Sequence, residues 1–270
     1  MIESEPSWNA KLDCTFEFAG DRTIVRHEHL GPLRIQRPFY PENNVAHVYL
    51  LHPPGGVVGG DNLTVNVASE FKTAGLITTP GATKFYRSNG QVAKVGHQFD
   101  IDGGSFEWFP QENIFFPESK VKISSNINLA NGASVAWWDI NCFGRGKAEK
   151  SFVHGSACSV MNLWVDDLLL LRERVLVNTD FPLSLSSGCR GNPTVGTLIL
   201  YPLHAERISF VRQCLSDRAQ FSVSTFDGLL VVRYLGASAE QAKTGFIQVW
   251  SKLRRELNGK IACLPRIWAT

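Results

Sequence analysis

The amino-acid sequence predicts a mainly β protein, with many short strands in stacked or sandwiched sheets and a few helices towards the C-terminus. Three observations carry this reading. Short runs rich in Val, Ile, Thr and aromatic residues recur about every ten to fifteen residues through the first two thirds. Glycine, proline, asparagine and aspartate punctuate them, in PPGGVVGGDN, TPGA, SNG, DGG and ANG. The last third then shifts towards a helical period.

Taken in order, residues 15–18 alternate, Gly20-Asp21 offers a turn, and residues 23–25 resume the pattern. Residues 33–36 alternate again until Pro38 stops them, since proline cannot donate to a strand ladder. Residues 45–51, 63–67 and 76–79 are further short strands. Residues 203–215 read as a helix with Ile208, Val211 and Leu215 on one face. A hairpin follows, with strands at 220–225 and 229–234 joined by Asp227-Gly228. The strongest helix spans residues 237–259. Ser238 and Gln241 form a capping box, Asn258-Gly259 closes the helix, and Ala242, Phe246, Val249, Trp250, Leu253 and Leu257 make an apolar stripe. Such a stripe packs on a core or faces a partner.

The length suits one large β domain or two small ones. No low-complexity linker and no fixed-period repeat divides the chain, so a single domain over residues 1–270 is expected, its first ten or so residues disordered. Basic residues exceed acidic ones by only two (27 against 25) and never cluster, which argues against nucleic acid as a partner. The longest apolar run, residues 168–171, is far too short to cross a membrane. The start, MIESEPSWNA, lacks the basic and apolar stretches of a signal peptide. The six cysteines are scattered, without a CxxC pair. Free thiols in the cytoplasm are expected.

No GxSxG elbow, HExxH helix or kinase set is present. The Gly55, Gly56, Gly59 and Gly60 stretch lacks the GK[ST] ending of a phosphate loop and reads as a sharply bent, packed loop. Asp61 closes it, either as a turn cap or as an oxygen ligand for a passing cation. His27 and His29 share a strand face, where they either grip a divalent ion or simply meet solvent. His47 and His52 flank an apolar strand, and Cys142 is a small buried hydrophobe or a soft ligand. Acidic residues inside apolar runs say more. Glu107 and Glu112 bracket Trp108-Phe109-Pro110, Asp139 follows Trp137-Trp138, and Glu173 lies between two arginines. Buried carboxylates are paired or bind cations. Arg87, Arg145 and Arg174 are available for pairing; the alternative is a hydrated passage whose acidic groups favour cations.

Several stretches now coincide in order and spacing: GPL…RPFYPE (31–42), LLHPPGG (50–56), GGDNL (59–63), TTPGATKFYRS (78–88), FEWFPQE (106–112), FGR (143–145) and the terminal PRIWAT. Together they resemble the UreD (UreH) family of urease accessory proteins, from about Gly31 to the C-terminus. One departure stands out: Phe143-Gly144-Arg145-Gly146-Lys147 stands where Leu-Gly-Arg-Pro-Ala is expected. The resemblance implies a maturation role without catalysis. The protein would join apo-urease to UreF and to the nickel-carrying GTPase UreG, and would offer nickel(II) an internal route without holding it tightly. Asp61, Glu107, Glu112, Asp139 and Glu173 are the acidic positions it points to. Two rivals remain: a carbohydrate-binding sandwich displaying Trp137 and Trp138, and a hydrolase using Glu107 and Glu112 as its carboxylate pair.

Overall fold

The computed structural model describes residues 7–130, 132–144 and 152–269. Seventeen strands occur among them: β1 (Asn9–Ala19), β2 (Arg22–Leu30), β3 (Arg34–Ile35), β4 (Ala46–Leu51), β5 (Asn62–Ser69), β6 (Ala74–Thr78), β7 (Thr83–Phe85), β8 (Ala93–Ile101), β9 (Gly104–Phe109), β10 (Asn113–Phe115), β11 (Lys120–Leu129), β12 (Ala133–Phe143), β13 (Ser156–Val165), β14 (Leu168–Val177), β15 (Thr194–Tyr201), β16 (Phe221–Phe226) and β17 (Leu229–Gly236). Helix α1 spans Arg207–Cys214, α2 spans Ala239–Asn258, and a 3-10 turn at Arg266–Ala269 ends the chain.

The chain alternates between two stacked sheets. From β4 to β13, β5, β8, β11 and β13 fall in a seven-stranded sheet of order β14-β13-β11-β8-β5-β1-β2. The intervening β4, β6, β9 and β12 fall in a ten-stranded sheet, whose main order is β16-β17-β15-β12-β9-β6-β4-β3. Neighbours within this winding are parallel. Parallel strands need a crossover of a dozen or more residues, and here the strand in the opposite sheet supplies it. Antiparallel β2, β14, β15 and β17 finish the flanks.

This winding gives the two sheets different sequence patterns. The seven-stranded sheet has one inward face, so β11 alternates cleanly, with Val121, Ile123, Ser125, Ile127 and Leu129 turned in. The ten-stranded sheet is covered on both faces along its centre, where β4, β6, β9 and β12 are buried almost without a break. Trp137 joins the core between the sheets and Trp138 the core beneath α2. They are 2% and 0% exposed, so the expectation of displayed tryptophans is overturned: a strand buried on both faces has no solvent side.

Helix α2 forms as read. The Ser238 side chain accepts from the N–H of Gln241 at 3.2 Å, and Gly259 (φ 76°) closes the C-terminus. The reciprocal half of the capping box is not made, because Gln241 Oε1 instead accepts from the Tyr234 hydroxyl at 3.1 Å. All six stripe residues are buried in the second core. Helix α1 starts at Arg207, later than the expected residue 203, because residues 205 and 206 form a turn first. Of the N-terminal residues expected to be disordered, 1–6 lie outside the described residues, while Asn9 and Ala10 open β1.

Candidate functional site: polar groups between the sheets

The family-diagnostic stretches are knotted together at one end of the stacked sheets. Val57 N–H donates to Lys84 O at 2.7 Å, and Tyr86 N–H returns a bond to Val57 O at 2.9 Å. Gln111 N–H donates to Thr79 Oγ1 at 2.8 Å, and Thr83 N–H donates to Glu112 O at 3.0 Å. Glycine is required where the loops touch: a Cβ on Gly56 would sit 2.3 Å from the Tyr86 ring. Gly60 has φ 96°, and a Cβ on Gly59 would meet Gln91 O at 2.7 Å. Gly55 alone has open space around it.

Asp61 is a turn cap. Its Oδ1 accepts from Trp8 N–H at 2.8 Å and its Oδ2 from Val58 N–H at 2.9 Å, which fixes the glycine loop against the N-terminal segment. Its charge also reaches His52. Burial pushes the His52 imidazole below the ordinary histidine range, and Asp61 offsets part of that shift. His52 Nε2 is buried with no hydrogen-bond partner among the described residues.

His52 lines a cavity of about 260 Å³ enclosed by the glycine loop, the 79–84 loop, and the inward faces of β5 and β8. A second imidazole, His97, lines the same cavity. It packs against Trp108 and Trp137, with ring centroids 5.2 and 6.2 Å away, and its Nδ1 lies 2.9 Å from Ser125 Oγ. The part of the ring that protein does not cover faces this cavity. Burial lowers its pKa to about 4, so it is a neutral imidazole at neutral pH. Sequence reasoning missed His97. The signal was there: in β8 it takes the inward place between Val95 and Phe99, where an apolar residue is expected.

Farther along the same interior, Asp139 accepts from Asn113 Nδ2 (3.0 Å), Asn141 Nδ2 (2.7 Å) and Ser159 Oγ (3.1 Å). Burial raises its pKa above the ordinary carboxylate range, and these three bonds recover only part of the shift. Glu173 lines the same small cavity of about 10 Å³, room for roughly one water. Arg233 clamps Glu173 through two bonds of 2.8 Å, from Nε and Nη2. The structure thus brings Asp139 and Glu173 together, and joins them across the two sheets.

Glu107 and Glu112 lie elsewhere. Glu107 is on the opposite face of the ten-stranded sheet, 1% exposed beneath α2. It accepts from Trp250 Nε1 (2.8 Å), Arg254 Nε (2.9 Å) and Arg254 Nη2 (2.7 Å). Arg254 also pairs with Glu42, which hydrogen-bonds His47 Nε2 at 2.6 Å. A carboxylate so enclosed offers no face to a sugar, which removes the hydrolase reading of the Glu107/Glu112 pair. Glu112 is half-buried, within electrostatic reach of Lys243 and Cys142. The ion-pair partners differ from those expected. Arg254 and Arg233 take Glu107 and Glu173, Arg87 pairs with Glu118 (3.1 Å), and Arg145 lies outside the described residues. Arg174 stands next to Glu173 on β14, where successive side chains point to opposite faces. The signal for Arg233 and Arg254 was weak, since they stand 60 and 147 positions from their glutamates.

All six cysteines are free. Burial pushes the thiol of Cys142 up to about 12, so it stays protonated. Among the described residues no group of three or more His, Cys, Asp or Glu side chains is placed to hold a metal ion, and no helix is long and apolar enough to cross a membrane.

Comparison with known proteins places the chain. The family described as UreD urease accessory protein matches residues 9–269. A urease accessory protein UreD of Aliivibrio fischeri is 38% identical over 281 aligned positions, covering 99% of this chain and 98% of the relative. One from Alcanivorax borkumensis is 40% identical, covering 97% and 92%. One from Klebsiella pneumoniae is also 40% identical, covering 97% and 96%. With the match running through nearly every residue of both cores, the chain belongs to the UreD family of urease accessory proteins.

Proposed function

We propose that this protein is a urease maturation factor that works by contact, in the cytoplasm, and makes or breaks no bond itself. It would join apo-urease to UreF and UreG and give nickel(II), as cargo, a route into the urease active site. The observation that carries the maturation role is the family match over residues 9–269.

The buried polar groups support the route. Between the sheets run His52, His97 with Ser125, then Asp139 with Ser159, and Glu173. Neutral imidazoles and carboxylates suit a borderline cation. Among the described residues no three of them converge on one point, so contacts stay weak enough to release it. Burial shifts the Asp139 carboxyl towards its neutral form; an arriving cation works against that shift, because an opposite charge favours the ionised form. Asp61 acts at one end by holding the glycine loop and biasing His52. Glu112 stands beside the interior next to Cys142, and Glu107 anchors α2. A carbohydrate-binding role has no support left once Trp137 and Trp138 are buried.

The test is deletion of the gene in cells that make urease, with the wild-type copy restored as control. Urease should accumulate with little nickel and little activity in the deletion strain, and this protein should co-purify with apo-urease, UreF and UreG in the restored one. Full nickel content in the deletion strain overturns the role.

A further inference from the structure

We propose that His27 and His29 form a surface chelate for one borderline divalent transition-metal ion, of the nickel(II), copper(II) and zinc(II) class. Strand β2 is the edge of the seven-stranded sheet and pairs with β1, placing His27 opposite Cys14 and His29 opposite Leu12. Cys14 and Leu12 face the core, so both imidazoles project from the face that elsewhere in this sheet is buried. The first half of β2 is covered there. Thr23 is buried, accepts from Ala74 N–H at 2.8 Å, and donates its own N–H to Asn44 O at 3.2 Å. Beyond Val25 the second sheet no longer overlies the strand, and residues 26–30 are exposed.

On this uncovered face the two rings lie side by side, with centroids 6.3 Å apart and planes 29° from parallel. The charged neighbours are turned away. Arg26 is bonded to Glu17 on the outer face, through Nε at 2.8 and 2.9 Å, and Glu28 shares that face. Both imidazoles are exposed, and among the described residues neither has a hydrogen-bond partner, which leaves their nitrogens open to a ligand there. Two residues apart on a strand, their Cα atoms are roughly 6.6 Å apart. Small rotations of exposed side chains then bring one nitrogen of each to the ~2.0–2.1 Å that an imidazole–metal bond needs. The ladder with β1 fixes the backbone beneath them, so little ordering entropy is spent. Cys14, the closest soft donor on that face, takes no part: burial, with a contribution from Asp13, pushes its thiol up to about 12. The site is therefore a two-imidazole one with its remaining positions open, which makes it exchangeable. It stands apart from the interior route and does not depend on it.

The test titrates nickel(II) alone into the full chain by calorimetry, alongside His27→Asn, His29→Asn and the double variant. Each single change should weaken one equivalent of binding about a hundredfold, because two linked donors are reduced to one. The double variant should lose that equivalent while unfolding at the wild-type temperature. In parallel, a trace of copper(II) should broaden the imidazole NMR signals of His27 and His29 and leave that of His47, buried and bonded to Glu42, sharp. A double variant that keeps the wild-type affinity and stoichiometry, or broadening confined to other histidines, overturns the proposal.

Discussion

Arg254 is 0% exposed and holds two carboxylates, Glu107 and Glu42, while its Nη1 also donates to Ile261 O at 2.6 Å. Burial works against its charge, and the two glutamates outweigh that effect. Removing one member of such a cluster strands the rest. Arg254→Met should cost about 3–5 kcal/mol in urea unfolding, whereas Glu107→Gln, which keeps a hydrogen-bonding group facing Trp250, should cost less. His97 makes the second prediction at this scale. Its folded pKa, about 4, lies below the ordinary histidine value of about 6.5. Between those values the unfolded chain binds a proton that the folded one refuses. Stability should therefore fall as pH drops from 6.5 to 4, by at most about 1.4 kcal/mol per pH unit from this group. Replacing His97 by Phe should flatten that slope in thermal unfolding followed against pH. Neither residue stood out in the sequence as part of a network. A lone polar residue in an inward register is visible only once the sheet is known, and Arg254 reads as one more charge on the edge of an amphipathic helix.

At the scale of the element, α2 shows what local sequence can specify. Its cap, its stop and its apolar stripe are encoded within twenty-two residues, 238–259; the stop and the stripe appear as read, and of the capping box the Ser238 half forms. Packing rather than capping dominates its contribution. Ser238→Ala should cost about 1 kcal/mol and Phe246→Ala about 3–5 kcal/mol, both measurable by denaturant titration. The strands were legible as strands for the same reason: alternation and turn residues are local. Their partners were not. Parallel pairing between β5 and β8 joins residues about thirty positions apart, with β6 crossing in the other sheet between them. Nothing in a short run of Val and Thr states which sheet it will enter. The acidic candidates divided accordingly. Asp139 and Glu173 meet because β12 and β14 end up facing each other, while Glu107 turns to the helix side because the strand register of β9 sends it there.

For the whole molecule, the winding of one chain between two sheets leaves polar groups in the core between them, in one cavity at the glycine loop and another beside β14. The same winding hides both tryptophans and ties the family-diagnostic loops into one end of the stack. On the proposed function, this interior serves nickel transfer while the surface serves assembly. The most direct measurement is the nickel bound per urease active site, by plasma mass spectrometry, in urease matured with an Asp139→Asn/Glu173→Gln double variant. Urease, UreF and UreG captured by that variant are quantified in the same cells. The account expects undiminished capture of all three partners and a several-fold loss of nickel. Fully metallated urease alongside undiminished capture would contradict it.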